Sequence, residues 1–512
     1  MNTAIDLLNE TGAIVVNITM DNPPSNIKLL KLLGATVNDH ENINCLIRNE
    51  NVLGLKICVV PDPCHDIKLV RSTLGDKELL FTTFGDKIEW NMIKELYKYQ
   101  TNEGLATGNK LRKDHIEYAK SRMKVNLATQ TLSNSVADSL EFCDKKLGLQ
   151  QFRDSDGTCE FLRYFNNLFD ICNSRQRFGK EFKAPIMTEN EEKWMKELHH
   201  ATNYIKSLHH VNVQHQTKST LVLNGRRKAG FIGFLVCIES YKYIYETYVK
   251  TGLLKYLLTY KTSQDHLEIL FCGLRSAMGC NNNPDVGQFT AAYRRIVMGA
   301  AIRGKYGNCQ ILDNTLVLKI KEKPEDTLKK VTEEYNLSAD ENLLEIYTEA
   351  MEANSEYKDN IVSYMAGYVQ KSIVAKESCD VCKDILVSQD RVSSNLLDIK
   401  NRGGLTKPCE DLVRVVKVCD SIVEKAIKEK EISRKKENFV LHTVVKTRFA
   451  VLEICPNLFM GLEMTSPTHD HKCNLIDKIS SLYTTIRINH LFKKQETGFR
   501  RMSNKVVLFR HK

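Results

Sequence analysis

Residues 13–21 read AIVVNITMD, a nearly continuous run of β-formers closed by an acid, and NPPSN follows at 22–26. Proline lacks the N–H that a ladder needs, so a strand must stop there. Apolar residues on successive positions place such a strand inside a sheet covered on both faces, as in α/β proteins. A helix-like IKLLKLLGA and a second apolar run, LKICVVPD at 55–62, complete one βαβ unit. One such unit is a fragment of a sheet. No strand precedes Ala13 in this sequence, so the first strand is expected to keep a bare edge unless other strands are supplied to it.

From about Gly75 to Val249 the pattern changes to apolar residues at three- and four-residue spacing, as in CEFLRYFNNLFDICNSR and EEKWMKELHHATNYIKSLH, with STLVL as a short strand. YKTSQDHLEILF, at 260–271, reads as an amphipathic helix with Asp265 and Glu268 three apart on one face. Alone, such a pair is a solvated face. At 512 residues the chain exceeds one core, and about 150 residues per domain predicts roughly three units. With 42% hydrophobic and 27% charged residues it reads as globular, no window is apolar enough to span a bilayer, and an intracellular, soluble protein is expected. Sixteen cysteines without a framework spacing read as reduced thiols.

The net charge of +10 is concentrated at the C-terminus. Residues 331–360 hold nine acids against one lysine, which marks the acidic segment 311–360 as a linker. The last 32 residues hold eight Lys or Arg against Glu496, with Tyr483, Phe492, Phe499 and Phe509 interleaved. That end is either a surface tracking phosphates or a solvated tail. CDVC places two residues between Cys379 and Cys382, with Cys409, His442, His469, His471 and Cys473 downstream. They could complete a zinc site, but one CxxC without a second pair favours reduced structural cysteines. Asp62 and His65 in PDPCH favour a turn held by the Asp side chain, with an approach to a metal as the alternative.

VVNITMDNPPSN, PDPCHDIKLVRSTLG, NKLRKDHI, KVNLATQTLSNSVADSL, FNNLFDICNSR, FIGFLVCIES, LLTYKTSQDHLEILFCGLRSAMGCNNNP and YMAGYVQKSI occur in this order. Together they resemble the P-element transposase family, which includes the domesticated THAP-domain transposase-like proteins. The resemblance implies an RNase H-like catalytic core of the DDE type, interrupted by a helical GTP-binding insertion and followed by a basic region that contacts DNA. Mapped onto this sequence, it implies a partial core at 1–75 with a large mainly helical insertion at 76–250. The last core helix, with QDHLE, then falls in 251–310, the acidic linker in 311–360 and a basic helical C-terminal region in 361–512.

The chemistry implied is DNA cleavage and strand transfer, with carboxylates holding two Mg²⁺ ions across an in-line phosphoryl displacement. Asp21 and Glu268 match the second and third acids, and are the implied catalytic and metal-binding residues. Asp170 and Asn173 match the pair that reads guanine, an Asp being able to accept from guanine N1 and N2 protons. Lys110, Lys124, Ser133 and Asp265 fall at nucleotide-contact positions or at the edge of that site. NKLR has Arg112 where an NKxD guanine motif needs Asp, so NKxD itself does not apply.

The family's first acid lies on a strand upstream of VVNITMD, and only 20 residues precede Asp21 here. A chain N-terminally truncated in this way is expected to be inactive as a polynucleotidyl transferase. The implied function is a nuclear, transposase-derived protein that binds DNA and GTP and associates with further copies of itself. The alternative is a non-enzymatic DNA- or transposase-interacting protein, a repressor or scaffold.

Overall fold

The computed structural model describes residues 1–48, 56–211, 219–278, 283–297, 355–428, 436–455 and 470–509, with a few isolated positions between them. The chain is mostly helical with small sheets, and it divides into two compact units. One unit comprises Met1–Lys98, Asn109–Asp144 and Leu149–Thr315; the other comprises Tyr99–Gly108, Lys145–Gly148 and Leu316–Lys512. The expected acidic linker lies almost entirely outside the described residues.

In the first unit, after the short helix α1 (Asn2–Glu10), strand β1 (Asn17–Met20) runs into α2 (Pro24–Leu32). Pro23 is the N-cap of α2 and Pro24 its first residue, where a missing N–H leaves nothing unpaired. Strands β2 (Leu46–Arg48) and β3 (Lys56–Pro61) follow, in the sheet order β1-β3-β2. β1 pairs parallel with β3, Asn17 opposite Cys58, as the βαβ reading requires. β2 pairs antiparallel with β3 and was not anticipated.

Two expectations for the first apolar run need correction. The strand has four residues, and it is not buried on both faces: Ile14 is 55% exposed and Asn17–Thr19 are half-buried. The central strand is β3, whose Ile57, Cys58, Val59 and Val60 are essentially inaccessible. The apolar pattern at 13–21 therefore marks an edge strand, whose outer side has no strand partner among the described residues.

β3 is covered by α10 (Ala229–Ile244), a helix buried on nearly every side. Ser240 Oγ donates to the Val59 carbonyl at 2.6 Å and Cys237 Sγ to that of Pro61 at 3.4 Å. α10 also crosses α3 (Pro63–Lys77) closely. A Cβ at Gly233 would lie 2.2 Å from the Asp66 carboxylate, so only glycine permits this approach.

Residues 79–221 carry α4 (Trp90–Asn102), α5 (Lys113–Ile116), α6 (Val125–Thr131), α7 (Asn134–Glu141), α8 (Asp156–Cys172) and α9 (Glu191–Lys206). They also carry an antiparallel sheet in the order β5-β4-β6-β7, from β4 (Leu79–Phe81), β5 (Lys87–Glu89), β6 (His209–Val211) and β7 (Ser219–Leu221). Of these strands, β7 alone lies in the short strand read from the sequence. α11 (Asp265–Ala277) and α12 (Val286–Val297) complete the unit.

The second unit is a helical assembly of α13 (Glu356–Val374), α14 (Asp380–Ser388), α15 (Asn395–Lys400), α16 (Glu410–Lys428), α17 (Lys436–Ile454) and α18 (His471–Phe509). Its core includes Val362, Val369, Leu412, Val416, Val451, Ile476 and Ile479. Tyr483 belongs to this core and not to a phosphate-tracking surface: its hydroxyl donates to Asp420 at 2.8 Å, and Arg487 Nε donates to the same oxygen at 2.7 Å. The side chains of Phe492, Phe499 and Phe509 lie outside the described residues.

Candidate functional site

The tip of β1 meets the start of α11. Thr19 Oγ1 donates to the Thr262 carbonyl at 2.9 Å, in the 3-10 turn Thr259–Thr262 that leads into α11, so Asp21 and the QDHLE segment are neighbours across some 240 residues. In the amide orientation that satisfies both groups, Gln264 donates to Asp21 Oδ1 at 3.0 Å and accepts from its N–H at 3.2 Å. His65 Nδ1 lies 3.7 Å from Asp21 Oδ1. Glu268 is exposed in the first turn of α11, and its charge reaches His65 together with that of Asp21. Burial nevertheless holds His65 below its ordinary value.

Asp62 takes the turn role favoured for it. Its carboxylate caps α3, accepting from the N–H groups of Cys64 and His65 at 3.3 and 3.1 Å. Burial pushes it up to about 6, with Asp265 and Asp21 adding to the rise, while the backbone N–H of Gln264 opposes it. Asp265 is 9% exposed and faces Arg175, Nη2 to Oδ2 at 2.5 Å, while Cys64 Sγ donates to its other oxygen at 3.6 Å.

The same arginine joins this cluster to the nucleotide candidates. Arg175 Nε donates to Asn173 Oδ1 at 3.1 Å, just beyond the end of α8. α8 buries Phe161, Leu162, Phe165, Leu168 and Cys172 along one stripe, which aims its C-terminal end at the turn before α11. Ser174 N–H donates to Thr259 Oγ1 there at 2.9 Å.

On the last turn of α8, Asp170 is pushed up to about 6 by burial, against the pull of Lys183 and Asn166. Both contacts, Asn166 Nδ2 at 3.3 Å and Lys183 Nζ at 3.8 Å, fall on Oδ2. Asn166 also accepts from the Asn134 N–H at 3.3 Å, at the start of α7, where Ser133 is the N-cap. The first residue of α7, Asn134, and Asp170 are thus linked through one side chain. Lys124 is the N-cap of α6 and half-buried, and Lys110 is exposed; neither makes an ion pair among the described residues.

Arg175, Gln264, Asn166 and Lys183 were not singled out from the sequence. The first three lie inside quoted motifs, FNNLFDICNSR and QDHLE, but a polar residue beside a motif carries no period or spacing that marks its partner. Of the cysteine and histidine candidates in the second unit, Cys379, Cys382 and His471 are brought together, their ligand atoms within 4.8 Å of one another. Cys409 is buried with its N–H on Gln370, His442 lies within α17, Cys473 sits beside Asp470, and His469 is outside the described residues.

Residues 64–185 match the family described as "TNP-like, GTP-binding insertion domain", residues 260–294 "TNP-like, RNase H C-terminal domain", and residues 353–493 "DNA transposase THAP9, C-terminal domain". The human "DNA transposase THAP9" is 29% identical over 441 residues, covering 83% of this chain and 47% of that protein. These matches make the chain similar to the P-element transposase family. The Drosophila melanogaster "Transposable element P transposase" is 27% identical over 443 residues, covering 82% of this P-element transposase-like chain and 53% of that protein. The chain therefore spans about half the length of the curated relatives it matches. A solved structure titled "Drosophila P element transposase strand transfer complex" is 25% identical, covering 58% of this chain and 63% of that one, with a TM-score of 0.48.

For this P-element transposase-like chain, the donor chemistry at the strand tips is right for a hard cation, since carboxylate oxygens suit Mg²⁺. The arrangement does not fit a closed site. Among the described residues no three acid or imidazole ligand atoms there lie within 4.8 Å of one another, Asp62 caps a helix, and Asp265 faces an arginine.

Proposed function

We propose that this chain is a transposase-derived nuclear protein that binds GTP through its insertion and DNA through its basic C-terminal region, without cutting DNA itself. The observation that carries the GTP reading is Asp170, a mostly buried carboxylate whose described contacts both fall on Oδ2. Oδ1 is left to accept, and a carboxylate edge facing paired N–H donors is the solution that distinguishes guanine from adenine. The match of residues 64–185 supports the same reading. Asn173 and Asp265, joined by Arg175, form the edge of that site, while Ser133, Lys124 and Lys110 supply hydroxyl and cationic groups for ribose and phosphates.

Asp21 and Glu268 are the positions we assign to the ancestral Mg²⁺-binding, catalytic pair of an RNase H-like DDE core. Two-metal displacement needs carboxylates free to bridge ions. The contacts of Asp62 and Asp265 favour the non-catalytic reading, in which the chain occupies DNA or associates with other transposase copies as a repressor or scaffold. The test is a nucleotide titration of the purified chain. Wild type should prefer GTP over ATP, and Asp170→Asn should weaken GTP by about 100-fold, the loss of one or two charge-assisted hydrogen bonds, with ATP unchanged. Equal GTP and ATP affinity in wild type would remove the nucleotide assignment.

A further inference from the structure

We infer that Cys379, Cys382 and His471 form a zinc-binding site that ties the start of α14 to the start of α18. His471 Nδ1 lies 3.4 Å from Cys379 Sγ and 3.5 Å from Cys382 Sγ. All three ligand atoms fall within 4.8 Å of one another, and among the described residues this is the one such group. A neutral imidazole nitrogen has a single lone pair, so it can accept from one S–H and not from two at nearly equal distance. An ion at the centre satisfies all three atoms at once. Bonds of about 2.3 Å to sulfur and about 2.05 Å to nitrogen, at a tetrahedral angle, put sulfur and nitrogen roughly 3.6 Å apart. The two observed separations match that edge. Two sulfurs and one nitrogen are a soft to borderline donor set, which selects Zn²⁺ over Mg²⁺ or Ca²⁺.

The local structure holds these atoms in place from both sides. Cys379 is the N-cap of α14 and Cys382 lies in its first turn, while His471 opens α18, capped by Asp470, which accepts from the Cys473 N–H at 2.9 Å. The first turns of two helices therefore meet at the three ligand atoms. Glu377 accepts from the N–H groups of Ser378 and Cys379 at 3.0 and 3.2 Å and pairs with Lys478 at 2.8 Å, seven residues along α18 from His471. This clamp fixes the CxxC turn against α18. Cys379 and His471 are half-exposed, so water can reach the fourth corner. Closing a loop of 89 residues, from Cys382 to His471, makes the ion a staple for the helical unit.

The assignment is independent of GTP binding and is tested on the full chain. Zinc analysis of protein purified without chelator should give one ion per chain, and Co²⁺ added to the metal-free protein should give thiolate charge-transfer absorption. Cys382→Ser and His471→Ala should lose the ion, His471→Cys should restore it, and Cys473→Ser should keep it. Should the first two variants fail to fold, alkylation of wild type serves: zinc should protect Cys379 and Cys382, and a chelator should expose them while lowering the melting temperature. A metal-free chain that takes up no Co²⁺, a Cys379–Cys382 disulfide in the purified protein, or full zinc content in Cys382→Ser overturns the site.

Discussion

The carboxylates at the tips of β1 and β3 and the thiols at the start of α14 are both sets of potential metal ligands, but only one set converges. At the strand tips four acids and a histidine lie together, yet three of the acids already contact protein groups: Asp62 two backbone N–H groups, Asp265 an arginine, Asp21 a glutamine and a histidine. At the start of α14 three ligand atoms lie within 4.8 Å of one another. The number of donors in a region is therefore a poor guide to a site. The direction of their lone pairs, and what already occupies them, decides.

This comparison breaks most directly at Arg175. If Asp265 is held by arginine and not by a cation, Arg175→Met leaves a carboxylate that is 9% exposed without its counter-charge. Losing one partner of a buried pair costs 3–5 kcal/mol, and because Arg175 is about a quarter exposed we expect roughly 2–3 kcal/mol in urea unfolding. Millimolar Mg²⁺ should recover part of that loss in the variant and add little to wild type. Equal Mg²⁺ stabilisation of both proteins would mean that the strand-tip acids already form a cation site.

A smaller effect separates Asp170 from the acids at the strand tips. Its carboxyl titrates at about 6, raised by burial, and only the ionised form accepts two guanine protons. Above pH 7 the group is ionised and GTP affinity should be flat. As pH falls through 6 the bound state must lose a proton that the free site holds, so affinity should drop about tenfold per pH unit, or 1.4 kcal/mol. Asp170→Asn should remove the slope. A wild-type affinity that stays constant down to pH 5 would break the assignment of this carboxylate to guanine.

These contrasts also show what was legible in advance. The period of 3.6 gave α8 and α11, and the prolines after Asp21 ended β1 where expected, because both are local effects of side-chain spacing and backbone chemistry. The burial of β1 was misread, since an apolar run does not say whether a strand is central or at an edge. β2 and the strands β4–β6 are three-residue segments with no alternation long enough to detect. The resemblance brought Asp21 and Glu268 to one place, and the Thr19–Thr262 hydrogen bond supplies the physical link. Arg175 stayed hidden and His471 was one of five downstream candidates that spacing could not rank, because a single charged or imidazole side chain acquires its partner only when distant helices pack.

The smallest expected effect concerns Asp21 itself. Its side chain is 42% exposed and its nearest cation is an imidazole at 3.7 Å, so solvent screens the pair. Asp21→Asn keeps an acceptor for the Gln264 amide and removes only the charge. We expect a stability change below about 0.5 kcal/mol. The change should register at His65 instead: Asp21 pulls that imidazole upward against burial, so its removal should lower the His65 titration midpoint further, as read by NMR. A loss above about 1.5 kcal/mol, or a His65 midpoint that rises, would show that Asp21 does more than polarise its neighbour, and the strand tip would then have to be reconsidered as an organised site in its own right.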